Sequence, residues 1–203
     1  MPGRPEPKQT PSQTVGPYFA LGLTPREYGY EYPSAIGPST YDTGARGERI
    51  RLTGRVLDGE GAAIDDAMIE IWQADAEGRY CHPQAGQGEA SRDPAFHGFA
   101  RAGTGLHPDQ AFELRTIKPG AGADGQAPHL VLVLFMRGGL NHLYTRVYFD
   151  DEQAANASDP VLSQVPAERR GTLLAQREET SDGVQYRFDI HMQGPRETVF
   201  FDV

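Results

Sequence analysis

The sequence predicts an all-β protein: a β-sandwich with a long irregular N-terminal arm and a few short helices. Three observations predict it. Glycine and proline are abundant, 24 and 16 of 203 residues, and they cut the chain into short segments. Between these breaks lie apolar or alternating runs of strand length. Helical periodicity is scarce, confined to two short stretches.

The first strand is read at Arg49 to Leu57, running into the turn signal Asp58-Gly59-Glu60-Gly61, and Ala67 to Gln73 follows as its successor. Ala111 to Ile117, Leu130 to Phe135 and Leu143 to Phe149 are three more. The clearest period of two lies near the end. Val184, Tyr186, Phe188, Ile190 and Met192 alternate with Gln185, Arg187, Asp189, His191 and Gln193, giving one apolar and one polar face. Asp182-Gly183 is a hairpin signal that pairs this strand with the region Thr172 to Gln176, and Thr198 to Phe201 can supply a last strand. The two helical stretches are Asp150 to Ala155 and Pro166 to Leu174. Many short strands with half-apolar faces bury those faces best against one another, as a sandwich.

This reading divides the chain into a flexible polar N-terminus (residues 1–10), an irregular arm at a pocket and subunit interface (11–48), and the sandwich (49–203). The arm lacks either periodicity but holds Tyr18, Phe19, Tyr28, Tyr30, Tyr32 and Tyr41, too many aromatic rings for a solvated linker. Tyrosine suits interfaces, since its ring is apolar and its hydroxyl stays hydrogen-bonded. The arm is expected to wrap its own sandwich or a partner.

Composition excludes several classes. A net charge of −9, with no Lys/Arg-rich run, argues against a nucleic-acid partner. A single cysteine, Cys81, excludes an internal disulfide framework and a cysteine-based zinc site. Residues 1–10 lack the apolar core of a signal peptide, and the apolar run Leu130 to Met136 is too short to cross a bilayer. The expectation is a cytoplasmic protein with no membrane partner.

Longer motifs carry a resemblance. They are Pro11-Ser12-Gln13-Thr14-Val15-Gly16-Pro17-Tyr18-Phe19, Ile69 to Tyr80 with its Trp72-Gln73-Ala74, Phe112 to Gly120, and Ala127-Pro128-His129. Tyr148 to Glu152, Phe188 to Ile190 and Glu197 to Asp202 complete the series. In this order they resemble the intradiol ring-cleaving dioxygenases over residues 11–203, and the tail resembles the iron-free chain of the two-chain members. The resemblance implies opening of protocatechuate (3,4-dihydroxybenzoate) by O2 to 3-carboxy-cis,cis-muconate. It also implies a non-haem Fe(III) held by two tyrosinates and two histidines of a homologous β chain, within a higher αβ oligomer.

This chain departs from the family's ligand set. The family's His-x-His, whose period of two turns both rings toward the metal, reads His129-Leu130-Val131 here. The loop Ala121 to Gln126 and the stretch Cys81 to Asp93 contain no tyrosine where the family's two ligand tyrosines are expected. No metal ligand and no catalytic residue is therefore assigned to this chain. The remaining histidines, His82, His97, His107, His142 and His191, show no ligand-like spacing and read as ordinary surface or core residues, with His97 and His107 solvated.

The resemblance assigns substrate-binding residues instead. Protocatechuate differs from catechol by a carboxylate, which a planar guanidinium holds through two parallel donors. Arg137 stands at the end of an apolar strand before Gly138-Gly139, and in the resembled chains this arginine reaches the substrate. From spacing alone it reads as a solvated strand-end residue. Thr14, Gly16, Pro17 and Tyr18 correspond to the turn that closes one wall of the pocket, Gly16 allowing close approach; plain interface packing is the alternative for Pro17 and Tyr18. Trp72 reads as a core residue and Arg146 as an interface or salt-bridge residue. Two rival readings stay open, a purely structural scaffold subunit and a self-sufficient metalloenzyme with a rearranged site.

Overall fold

The computed structural model describes residues 14–16, 18–81, 93–105, 107, 109–122 and 125–203. Among these residues nine strands form the body: β1 (Arg49–Leu57), β2 (Met68–Gln73), β3 (Phe99–Gly103), β4 (Ala111–Ile117), β5 (His129–Phe135), β6 (Leu143–Phe149), β7 (Leu174–Thr180), β8 (Gly183–Arg187) and β9 (Ile190–His191). Strand pairing runs β3-β2-β5-β6-β7-β8-β1-β4, with β9 beside β1. β7 is the joint between two layers. Its Leu174 and Ala175 run parallel to Tyr148 and Phe149 of β6, and Gln176 to Thr180 then run antiparallel to β8.

Both layers turn their apolar faces inward. In β1 every second residue from Ile50 is buried, and β5 buries Leu130, Leu132 and Leu134 in alternation with the half-buried Val131, Val133 and Phe135. These side chains meet Ile69 and Ile71, Phe112 and Leu114, Val147 and Phe149, and Tyr186 in one core. The period of two that predicted the strands is thus the period of burial.

β3 was not legible in the sequence, because Phe-Ala-Arg-Ala-Gly looks like a break. Its Ala100 and Ala102 pack into the core, while Arg101 pairs across β2 with Glu70, Nε to Oε1 at 2.8 Å. The expected last long strand is divided into β8 and β9. A Cβ at Gly54 would lie 1.8 Å from the carbonyl oxygen of Phe188, so the chain passes over β1 at that glycine and leaves regular pairing there. The alternation survives the break, since Tyr186, Phe188 and Ile190 are all buried. Thr198 to Phe201 is not a strand; Phe201 makes a single bridge, its N–H donating to Tyr144 O at 2.8 Å.

Helix is sparse. The expected Asp150 to Ala155 segment forms α2 at Gln153–Ser158, and the Pro166 to Leu174 segment holds only a 3-10 turn at Arg170–Leu173. Inside the arm a short helix, α1 (Tyr18–Leu23), and a 3-10 turn (Pro25–Tyr28) appear where no element was read. The arm then runs over the body. Ser39 bridges Arg115 of β4, and Tyr41 bridges Phe96. Thr40 shares a 2.6 Å hydrogen bond with Thr116, whose hydroxyl donates to Gln73 Oε1. Gln73 in turn donates from Nε2 to Ile117 O at 2.9 Å. One buried polar chain thereby fastens the arm to a strand of each layer.

Candidate functional site

The turn after β5 is built by Met136 to His142. Gly138 adopts φ +86°, a conformation that disfavours side chains, while nothing crowds the space its Cβ would occupy. The glycine is required by backbone conformation here. Arg137 precedes it with its Nε–H donating to Asp66 Oδ2. The Arg137 side chain is 56% exposed and that of Asp66 only 16%, so a mostly covered carboxylate takes one edge of a cation that is otherwise largely in solvent.

The arm comes to the same place. Gly138 N–H donates to Thr14 Oγ1 at 2.8 Å. Phe19 N–H donates to Gly16 O at 3.0 Å, turning the chain into α1. Val15 and Phe19 face Phe135, Met136, Leu140 and His142 across a cavity of about 180 Å³. The Phe19 and Phe135 rings are 5.3 Å apart, and His142 stands 5.7 Å from Phe135.

The structure therefore brings Thr14 and Arg137 together, with Gly16 one turn away. A Cβ at Gly16 would meet nothing within 4 Å, so no group among the described residues demands a glycine there. Tyr18 is 82% exposed, the least covered aromatic ring of this region. Pro17 lies outside the described residues, as does His82. Asp66 was missed from sequence, and the signal that finds it is strand register.

A second cluster surrounds His129. His129 is buried on β5, and its Nδ1 lies 2.8 Å from Ala127 O, an acceptor only, so Nδ1 carries the proton. Burial pushes this imidazole below its ordinary value. Across β6 its partner is Tyr148, and Val131 is paired with Arg146. Arg146 Nη1 donates to Gln126 Oε1 at 2.8 Å and lies 3.4 Å from Tyr148 OH, while no carboxylate pairs with it among the described residues. Of the two roles expected for it, interface or salt bridge, no ion pair forms among the described residues, and within this chain it is a hydrogen-bonded cation. Trp72 is likewise not a core residue; it is half-buried, stacked at 13° on Tyr80 and tilted against Phe99.

The fit of a ferric ion to this cluster is poor. His129 keeps the tautomer of a ligand histidine, but Val131 offers no donor and the guanidinium of Arg146 already supplies positive charge beside it. Burial raises the Tyr80 phenol, against the pull of Arg146, and pushes Tyr148 up to about 12, so neither ionises readily by itself. Among the described residues no group of three or more His, Cys, Asp or Glu is placed to hold a metal ion.

The sequence profile of a family described as Dioxygenase matches residues 24–194. The protocatechuate 3,4-dioxygenase alpha chain of Burkholderia cepacia is 53% identical over 201 residues, covering 97% of this chain and 98% of the relative. The beta chain from the same organism is 35% identical over 158 residues, covering 73% of this chain and 66% of the relative. Among solved structures, an intradiol ring-cleavage dioxygenase from Tetranychus urticae covers 81% of this chain and 89% of its own, with TM-score 0.60 and 17% identity, a likeness of fold alone.

Proposed function

This chain belongs to the dioxygenase family of intradiol type, and on that premise we propose that it works as an alpha chain of a protocatechuate 3,4-dioxygenase. The assembled enzyme adds both atoms of O2 to protocatechuate between its hydroxyl-bearing carbons, giving 3-carboxy-cis,cis-muconate. The non-haem ferric iron that activates the catechol sits on a homologous beta-type partner, within a higher αβ oligomer. The poor fit of the His129 cluster to a ferric ion supports that division of labour.

The contribution of this chain is recognition and enclosure. Arg137 receives the substrate carboxylate, and Thr14, Gly16, Pro17 and Tyr18 form one wall over the partner's site. One observation carries this reading: the hydrogen bond between Gly138 and Thr14 holds the arm against the turn that bears a half-free guanidinium. A fixed wall adds little ordering cost on binding and keeps water from the reacting ring. The exposed rings of Tyr18, Tyr30 and Tyr32 suit residues 11–48 to a subunit interface. No helix among the described residues is long and apolar enough to cross a membrane, and the lone, exposed Cys81 suits a cytoplasmic setting.

The test is Arg137→Ala in the co-expressed complex. Expected are a rise of the protocatechuate KM by at least about tenfold, the order of a lost charge-assisted pair, and unchanged iron per αβ unit. Unchanged kinetics in an intact assembly would make this chain a scaffold. Lost iron at normal affinity, or stoichiometric iron and activity in the chain alone, would overturn the assignment as well.

A further inference from the structure

We infer that Asp66 is the positioning residue for Arg137: it holds the Nε edge of the guanidinium and leaves the Nη edge to face the substrate carboxylate. The inference rests on the reading of Arg137 above and deepens it.

The pair follows from the sheet. β2 and β5 are antiparallel with Met68 opposite Phe135 and Ile69 opposite Leu134. Two places beyond the end of that ladder on each strand stand Asp66 and Arg137, so the same register sets them opposite one another. The framework, rather than a chance meeting of long surface side chains, fixes the contact.

The burial difference gives the contact a direction. Asp66, 16% exposed, stands on a short side chain with little free space around it, whereas the long Arg137 side chain at 56% exposed can sweep through solvent, so the carboxylate limits the arginine more than the reverse. Exposed ion pairs contribute little to stability, which leaves geometry as the main effect of this one. Arginine has five N–H donors in a rigid fork. Nε–H is taken by Asp66, and no acceptor among the described residues takes the Nη donors. That edge has the spacing of a carboxylate. The next residue along, Gly138, is tied through its N–H to Thr14, so the backbone at the base of the side chain is anchored too.

The test uses the co-expressed αβ complex and two substrates, protocatechuate and a catechol with an uncharged substituent in place of the carboxylate. Asp66→Asn is expected to raise the protocatechuate KM about 3- to 10-fold, the range for a side chain that must be ordered on binding. Iron content and kcat stay unchanged, and the preference for protocatechuate over the uncharged substrate falls by the same factor. Asp66→Glu restores part of that preference. A purely structural role would weaken both substrates alike, and that outcome overturns the proposal. Tighter protocatechuate binding in Asp66→Asn would show that Asp66 competes for Arg137, and overturns it as well. Arg137→Ala separates the two levels. If it abolishes the preference while Asp66→Asn does not, only the role of Asp66 is lost; if it leaves the preference intact, the reading of Arg137 fails first.

Discussion

Gly138 donates its backbone N–H to Thr14 Oγ1 at 2.8 Å, joining two segments 124 positions apart in the chain. The bond is exposed in this chain, so its effect on stability is small, but it sets where the arm begins its path beside Arg137. Thr14→Val keeps the shape and removes the acceptor. In the complex it is expected to raise the protocatechuate KM about 2- to 13-fold, the range of one neutral hydrogen bond, and Thr14→Ser should restore it. Steady-state kinetics of the three proteins, with unfolding temperatures as control, check this. Equal KM values across the series would remove Thr14 from the pocket wall.

Glu27 is a pH-sensitive anchor of the arm. It lies in the 3-10 turn Pro25–Tyr28 and accepts the Gly103 N–H of β3. Burial pushes its carboxyl from 4.5 to about 7, only partly opposed by that hydrogen bond. Between these values the folded protein keeps a proton that the unfolded chain has lost. Stability is therefore full below about pH 4.5 and falls as pH rises through about 7. Glu27→Gln retains an oxygen for Gly103 and does not titrate. Unfolding of both proteins at pH 5 and pH 8 should show Glu27→Gln gaining relative to the parent at the higher pH; a constant difference would show that Glu27 does not titrate in this window.

Asp159 works in the opposite sense. It is fully buried and accepts N–H groups from Ala127 at 2.8 Å, Val161 at 2.9 Å and Leu162 at 2.6 Å, with Tyr148 OH at 3.1 Å. Burial alone would raise this carboxyl, but the N–H donors and the phenol together hold it below its ordinary value. Its stabilisation is present above that ordinary value and is lost as pH falls through the depressed one. Asp159→Asn turns one acceptor oxygen into a donor facing other donors and is expected to cost about 3 kcal/mol. Denaturant titration near neutral pH gives that figure. Loss of the parent's advantage in acid would identify the carboxylate as its source, because protonation removes the charge that these donors stabilise.

How much of this was legible in the sequence depends on the distance between cooperating residues. Arg49 to Leu57, Ala111 to Ile117 and Leu143 to Phe149 were read with the bounds they have, because a period of two is a local signal with turn residues at its ends. β3 was not, because alanine and glycine give no local signal and its place comes from β2. In the site, Arg137 and Thr14 were found through motif resemblance, whereas the place of Asp66 depends on strand register. Writing β2 opposite β5 would have placed Asp66 beside Arg137, but nothing within either strand alone says which residues face one another.

The buried chain Thr40–Thr116–Gln73 is the last element with a consequence for function. Gln73, in the Trp-Gln-Ala motif, is fully buried and donates from Nε2 to Ala74 O and Ile117 O, while its Oε1 accepts from Thr116. Thr116 also meets Thr40, so the polar side chains of β2, β4 and the arm satisfy one another out of contact with water. Thr116→Val preserves volume but leaves both the Gln73 oxygen and the Thr40 hydroxyl without this partner. A buried polar group stripped of its partner costs about 1–3 kcal/mol, so unfolding should become easier by at least that amount. If the network also steadies the arm, proteolysis within residues 14–48 of Thr116→Val should accelerate before global unfolding begins. Simultaneous loss would place Thr40 and its segment in the same cooperative unit as the sandwich. In that case Thr14 is carried by a rigid body, and any effect of Thr14 substitutions on KM is local to the Arg137 turn.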